Sequence, residues 1–341
     1  MTKRTRYFMS GAAAVVIAGV GTGLVAYYAG GFPSLSASRQ GPSELNYVPA
    51  TAAVIAYANV REVMDSELRR RLKQSLPNET GQQEFQNETG IDIERDIDYV
   101  IAAMTTTGPS DVNGLVIARG RFNVTRLEAL ARDHGGVVED YQGKRLITVS
   151  DVKPADSQAQ PLAPHRSGHA LTLAFLEPGL VAIGGDPAIK SAIDAEMSAH
   201  SITSNADMMQ LVSDIDHGNN TWAVGRLDAI DQSQIPVQIR SHIPPVKTFA
   251  VMAHIDGGVS GTIRADASDD QSGENLRQIV NGFLAFGRLQ AQNDPRAALV
   301  MQSLQLSGSG KTVKLSFVIP TAALDMLPIR RSVGVGGTSS K

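Results

Sequence analysis

Hydrophobic positions along the chain fall into short alternating runs separated by stretches in which they recur every three or four residues. Ala52 to Asn59 is a short apolar run that predicts a buried strand. Val60, Met64, Leu68, Leu72 and Leu76 then recur at four-residue spacing, which makes one face of a helix. Ile97 to Met104 and Gly114 to Phe122 read as the next two strands. A helix follows, opened by Thr125 with Glu128 three residues on, the spacing of a capping box, and stopped at Gly135-Gly136. Val137 to Tyr141 and Lys144 to Ser150 flank Gln142-Gly143, a hairpin turn. Strand, helix, strand, strand, helix and strand, with one strand added, is the ferredoxin-like α+β order.

The second half of the chain repeats this pattern. Trp222 to Leu227 is a strand, followed by a weakly helical stretch broken by Pro236. Val246 to His254 and Val259 to Ala265 form a hairpin across Asp256-Gly257-Gly258. A long helix starts near Asp270, with Leu276, Ile279, Val280, Phe283 and Phe286 on one side. Leu304 to Ser307 and Lys311 to Val318 close the unit as a hairpin. Ala56 to Val60 aligns with Ala223 to Leu227, and Gly143-Lys144 with Gly310-Lys311, both 167 positions apart. The predicted fold class is therefore α+β, with two tandem ferredoxin-like repeats and extra hairpins. A connector lies between them. Leu171 to Phe175 and Leu180 to Ile183 pair through Glu177-Pro178-Gly179, Asp186-Pro187 starts a helix, and Asn205 caps another.

Ahead of these elements, Phe8 to Ala29 is a run of 22 residues without a charge. As a helix rising ~1.5 Å per residue it reaches ~33 Å, enough to cross a hydrocarbon core. Lys3, Arg4 and Arg6 precede it, and Tyr7, Tyr27 and Tyr28 stand where interfacial rings belong. The competing reading, a cleaved signal peptide, has a shorter apolar core and small residues at the cut, whereas Tyr27 would occupy the third position before a cut after Ala29. Under both readings the bulk lies outside the cytoplasm, and the retained anchor predicts a single-pass protein of the bacterial inner membrane. Gly19 and Gly23 give the run a GxxxG pattern. The predicted organisation is residues 1–30 as cytoplasmic stub and transmembrane anchor, 31–44 as tether, 45–200 as first repeat with connector, 201–331 as second repeat, and 332–341 as disordered tail. Lys153 to His169, with three prolines, reads as a long exposed loop.

Charge narrows the partners. Lys and Arg total 31 against 34 Asp and Glu; without the three cations before the apolar run the balance is 28 against 34. That surplus of acid lacks the basic footprint needed to neutralise phosphates, which argues against nucleic acid. Aromatic residues make up only 5% and are scattered, which suits core packing better than stacking platforms. The chain has no cysteine, so disulfides, thiolate metal sites and thiol nucleophiles are excluded. An extracytoplasmic domain without a disulfide fits a bacterial envelope better than a eukaryotic secretory route, so the sequons at Asn78, Asn87, Asn123 and Asn219 read as chance.

Each candidate for chemistry has a structural explanation that weighs more. Gly308-Ser309-Gly310-Lys311-Thr312 resembles the end of a phosphate loop, but position 305 is Gln and a strand follows, so it reads as a turn. His165 and His169 have a metal-ligand spacing but sit in a Pro-rich segment without a helix. Asp92, Glu94, Asp96 and Asp98 alternate with Ile91, Ile93 and Ile97, as carboxylates on one side of an extended segment. Gly282 and Gly287 within the long helix point to close packing on a neighbour. No catalytic, cofactor-binding or metal-binding residue is assigned, and no cofactor.

Tyr47-Val48-Pro49 leading into Ala53 to Arg61, then Thr89-Gly90-Ile91-Asp92 with Asp96-Ile97-Asp98, resembles an uncharacterised bacterial family of N-terminally anchored envelope proteins. The resemblance implies an anchor followed by an envelope domain of unknown function, and it carries over no catalytic residue. The expectation is a non-enzymatic binding or scaffolding module, touching the bilayer through residues 8–29 and an envelope protein through its folded part. The alternative is an envelope hydrolase with a dispersed site.

Overall fold

The computed structural model describes residues 41–75, 80–108, 111–149, 170–216, 218–228, 246–291 and 295–320. The first half opens with a 3₁₀ turn (Ser43–Tyr47), β1 (Ala52–Ala58) and four short helices, α1 (Val60–Met64), α2 (Glu67–Ser75), α3 (Thr80–Thr89) and α4 (Ile93–Asp96). β2 (Ile97–Gly108), β3 (Asp111–Gly120), α5 (Val124–Asp133), β4 (Val137–Tyr141) and β5 (Lys144–Val149) complete it. The connector is β6 (Leu171–Glu177), β7 (Leu180–Gly184), α6 (Asp186–Ser198) and α7 (Ala206–Ser213). The second half comprises β8 (Thr221–Arg226), β9 (Val246–Ile255), β10 (Gly258–Ala267), α8 (Asp270–Gln290), α9 (Pro295–Ser303), β11 (Gln305–Ser307) and β12 (Thr312–Pro320).

All twelve strands join one sheet in the order β11-β12-β10-β9-β8-β1-β2-β3-β7-β6-β5-β4. Every neighbouring pair is antiparallel. This overturns the expectation of two ferredoxin-like repeats. In that arrangement a helix carries the chain across to a parallel strand. Here the helices between β1 and β2 make an excursion, and the chain returns to pair β2 directly with β1, Ala56 opposite Ala102. The fold is α+β, but the α-β alternation of the sequence does not mark crossovers. The two halves do share a strand order. β8-β9-β10-β12-β11 runs outward as β1-β2-β3-β5-β4 does once the β7-β6 hairpin is set aside.

A second expectation also falls. Among the described residues no helix is long and apolar enough to cross a membrane. The longest, α8, has 21 residues and carries Asp270, Glu274, Arg277 and Arg288. The single-pass inner-membrane placement is therefore not retained. The run from residue 8 to 29 on which it rested, with Gly19 and Gly23, lies outside the described residues, as do Lys153 to His169 and the stretch around Pro236.

Local capping also departs from the sequence pattern. The Asn123 side chain, not Thr125, caps α5 by accepting from the Arg126 amide at 3.0 Å. Gly185 rather than Asp186 is the capping residue of α6. Asn205 caps α7 as the sequence suggested, accepting from Met208 N at 3.2 Å. The apolar run beginning at Val60 divides into α1 and α2 at Asp65-Ser66. At the β4–β5 turn Gln142 and Gly143 both have positive φ, 50° and 75°, the backbone that a two-residue hairpin of right-handed twist requires.

The core lies on one face of the central strands. Register places Ile55, Ala103 and Leu115 side by side, as it does Tyr57, Ile101, Ile117 and Ala182. Ile189 and Ile193 of α6, Met208 of α7, and Leu45 of the 3₁₀ turn belong to the same buried cluster. Beyond β9 this face turns polar: Ser260, Thr262 and Arg264 of β10 register with Val318, Ser316 and Lys314 of β12. Apolar residues there alternate onto the other face, where Ile263 meets Leu315 and Ala265 meets Val313.

The 3₁₀ turn is clasped to the sheet by charge. Arg119 donates from Nε and Nη2 to the buried Glu44 Oε1 at 2.9 and 2.6 Å, and from Nη2 to Glu177 Oε2 at 3.2 Å. Tyr47 donates to Glu177 Oε1 at 3.0 Å. Burial pushes the Glu44 carboxyl upward, but hydrogen bonds from Tyr99 and Arg119 outweigh it and hold the group below its ordinary range. Arg119 is raised in turn, burial opposing and Glu44 and Tyr99 prevailing.

Two outcomes follow. Replacing Ile193, fully buried under the central strands, by Ala should cost ~2–5 kcal/mol in a denaturant titration. A lowered folded-state pKa supplies stability above the unfolded carboxyl's pKa that is lost as pH falls through the folded one. Stability of the wild type should therefore drop more steeply on acidification than that of Glu44→Gln; parallel acid limbs in the two titrations would refute the clasp.

Candidate interaction face

The helix α8 begins where Asp269 accepts a hydrogen bond from Ser272 N at 2.8 Å. That bond, with the Ser272 hydroxyl, lowers the Asp269 carboxyl below its ordinary range. The first turn lies hard against the β11–β12 hairpin. A Cβ on Gly273 would stand 2.2 Å from the Gly310 carbonyl oxygen, so only glycine admits this approach. Arg277 fastens the next turn, donating from Nη1 to the carbonyls of Gly310 and Thr312 at 2.9 and 3.0 Å. Lower down, Gly287 meets Met301 of α9.

Those contacts fix which side of α8 faces inward. Gly273, Leu284 and Ala291 are buried. At about 100° per residue they fall on one side of the helix, and Ile279, Phe283, Phe286 and Leu289 spread over an arc of ~120° nearly opposite. These four are exposed: Phe283 by 72%, Leu289 by 62%, Phe286 by 61% and Ile279 by 37%. α9 adds Leu299, 43% exposed. The apolar side read from the sequence is thus divided: Ile279, Phe283 and Phe286 face outward, while Leu276 and Val280 are half-buried. Gly282 departs too: a Cβ there would have no neighbour within 4 Å, so the residue opens on solvent within the same stripe.

The stripe has an uncharged border. Asn275, Gln278, Asn281 and Gln290 are exposed beside it. From Asn275 to Ala291 the charged residues are Arg277 and Arg288. Both guanidiniums are drawn off: Arg277 to Glu274 at 2.9 Å and the hairpin carbonyls, Arg288 towards the Leu304 carbonyl at 3.4 Å. The hydrogen bonds from Arg277 and Gln278 lower the Glu274 carboxyl.

A polar cluster at one end of the core face is the other arrangement with chemical content. Asn59, buried at the end of β1, donates from Nδ2 to Glu62 Oε2 at 3.1 Å, while its Oδ1 has no partner among the described residues. His254 registers opposite Ser260, and its Nδ1 is likewise buried with no partner among the described residues. Burial raises the Glu62 carboxyl, His254 offsets this in part and Asp256 adds to it. Tyr57 stacks on Trp222 at 5.5 Å nearby, its hydroxyl raised by burial and then by Glu62 and Glu44. Such a set could pass a proton between an acid and an imidazole. A nucleophile–base pair would need a hydrogen bond that His254 Nδ1 does not make. No local pattern marks this cluster, which joins Tyr57, Asn59 and Glu62 to His254, about two hundred positions further along the chain.

The remaining motifs have structural positions. Gly308 to Lys311 forms the β11–β12 turn, with positive φ at Gly308 and Gly310. The acidic run is not extended: Ile93–Asp96 is a helical turn capped by Asp92, whose Oδ1 accepts from Glu94 N. Glu94 is tied to Arg69 and Lys73, and Asp98 to Arg61. Among the described residues no three His, Asp or Glu come together as a metal site, and His165 and His169 lie outside them. No family model, no curated protein and no solved structure matches the chain, so function has to be read from its own geometry.

If the stripe is surface and not core, Phe283→Ser should leave the unfolding free energy within about 0.5 kcal/mol of wild type in a denaturant titration, whereas Leu284→Ala should cost ~2–5 kcal/mol. Equal losses at the two neighbouring positions would place Phe283 in the core.

Proposed function

We propose that this chain is a binding or scaffolding module whose working surface is the outward stripe of α8. The observation that carries this reading is two phenylalanines three positions apart, Phe283 and Phe286, each more than half exposed, on a helix already anchored on its other side. At ~25 cal/mol per Å² of apolar surface, leaving such a stripe in water is costly, and contiguous exposed patches mark interaction sites. The sheet edges are less suited to the role. β11 has three residues, and β4 carries Glu139 and Asp140, devices that discourage strand addition. The hydrolytic alternative draws on Ser260, His254 and Glu62. It is the weaker reading, because His254 Nδ1 has no hydrogen-bond partner among the described residues.

The test is a photo-reactive amino acid placed at Phe283 of the full chain in the producing cell. Binding predicts discrete adducts on irradiation, absent when the probe replaces Ser309 on the exposed β11–β12 turn. No adduct from position 283 would sink the reading.

A further inference from the structure

We infer that the occupant of this stripe is the same stripe on a second copy of the chain, packed antiparallel across a two-fold axis. The inference rests on the binding reading above and names its partner. Positions 279, 282 and 286 follow the three–four spacing of a helix–helix seam, with Phe283 beside them on the same arc. Antiparallel pairing centred between Gly282 and Phe283 brings Phe283 of each copy over Gly282 of the other. Gly282 is the position with open space where a Cβ would be, so a large side chain meets a gap. The same operation sets Ile279 opposite Phe286. A two-fold contact needs such self-complementarity, because one patch serves both sides.

Charge and area fit this occupant. The border pairs Asn275 with Gln290 across the axis, amide to amide. Arg277 would lie opposite Arg288, but each is held towards the β11–β12 side by the carbonyls of Gly310, Thr312 and Leu304. A lipid surface would instead be met by cations flanking the apolar arc, and the flanks here are uncharged amides. Taking ~150–250 Å² per aromatic side chain, Phe283 and Phe286 alone leave roughly 200–330 Å² uncovered. With Ile279, Leu289, Leu299 and the bordering amides, two copies would bury about 1,000 Å² in total, the lower bound of a specific interface.

The chain has no cysteine, which makes the test direct. Gly282→Cys in the full chain should form a disulfide-linked species of twice the 36.2 kDa chain mass on mild oxidation, because a disulfide needs Cα atoms within about 7 Å. Ser309→Cys should not. Adding Phe286→Asp to Gly282→Cys should cut the cross-linked fraction about tenfold, with an unchanged circular dichroism spectrum. In parallel, sedimentation of the unsubstituted chain should give a dimer that Phe286→Asp dissociates. Absence of the 282 cross-link together with a monomeric unsubstituted chain would overturn self-pairing. Adducts from the probe at 283 of any mass other than twice the chain would then leave the binding reading standing with a different partner, lipid or protein. Absence of any adduct would remove both.

Discussion

Antiparallel pairing of β1 with β8 is the contact on which the rest of the architecture depends. Each strand begins a meander that grows away from it, and each would be an open edge without the other. The pairing sets Ile55 against Val224 and Tyr57 against Trp222, so one register aligns the aliphatic and aromatic parts of the core. Slipping β8 by one residue against β1 would turn Val224 and Trp222 to the other face while Ile55 and Tyr57 stayed. Small residues, Ala56 opposite Ala223, occupy that other face at the centre.

From this seam outward the apolar surface changes sides. Over β1 to β7 it lies under α6, α7 and the 3₁₀ turn; at β10 and β12 it lies on the reverse, and α8 and α9 pack against β12. α8 therefore stands at the periphery, tied down by Gly273 and Arg277 at one end and by Gly287 further along. Its second apolar arc has no counterpart within the described chain. In the proposed dimer its cover is a partner's helix and not this chain's own sheet.

Much of the strand content was legible. Gln142-Gly143, Glu177-Pro178-Gly179 and Gly308-Ser309-Gly310 each announce a hairpin by residues that tolerate positive φ or tight turns, and each is one. Strand order was not legible, because α-β alternation looks the same whether a helix crosses the sheet or merely detours and returns. Periodicity likewise found the apolar arc of α8 but could not say that the helix has two, or which is covered; Leu284 is buried beside an exposed Phe283. The alternation from Ile91 to Asp98 misled because a four-residue helical turn is too short to impose its own period. Asn59, Glu62 and His254 come together only through the registers of β1, β8 and β9, which no local pattern encodes.

The β6–β7 hairpin has a consequence for the order in which the sheet can assemble. It sits in space between β3 and β5 but comes after both in the chain. The β4–β5 hairpin can close locally as soon as it is synthesised, yet β5 has nothing to dock on until Leu171–Glu177 has emerged. β3 must meanwhile wait for Leu180–Gly184, whose loop-closure entropy is that of some sixty intervening residues. The second half, with no such insertion, can zip outward from β8 to β10 in chain order. A nascent chain thus carries an early hairpin with one unsatisfied flank, and the slow step of its biogenesis belongs to the half that begins first.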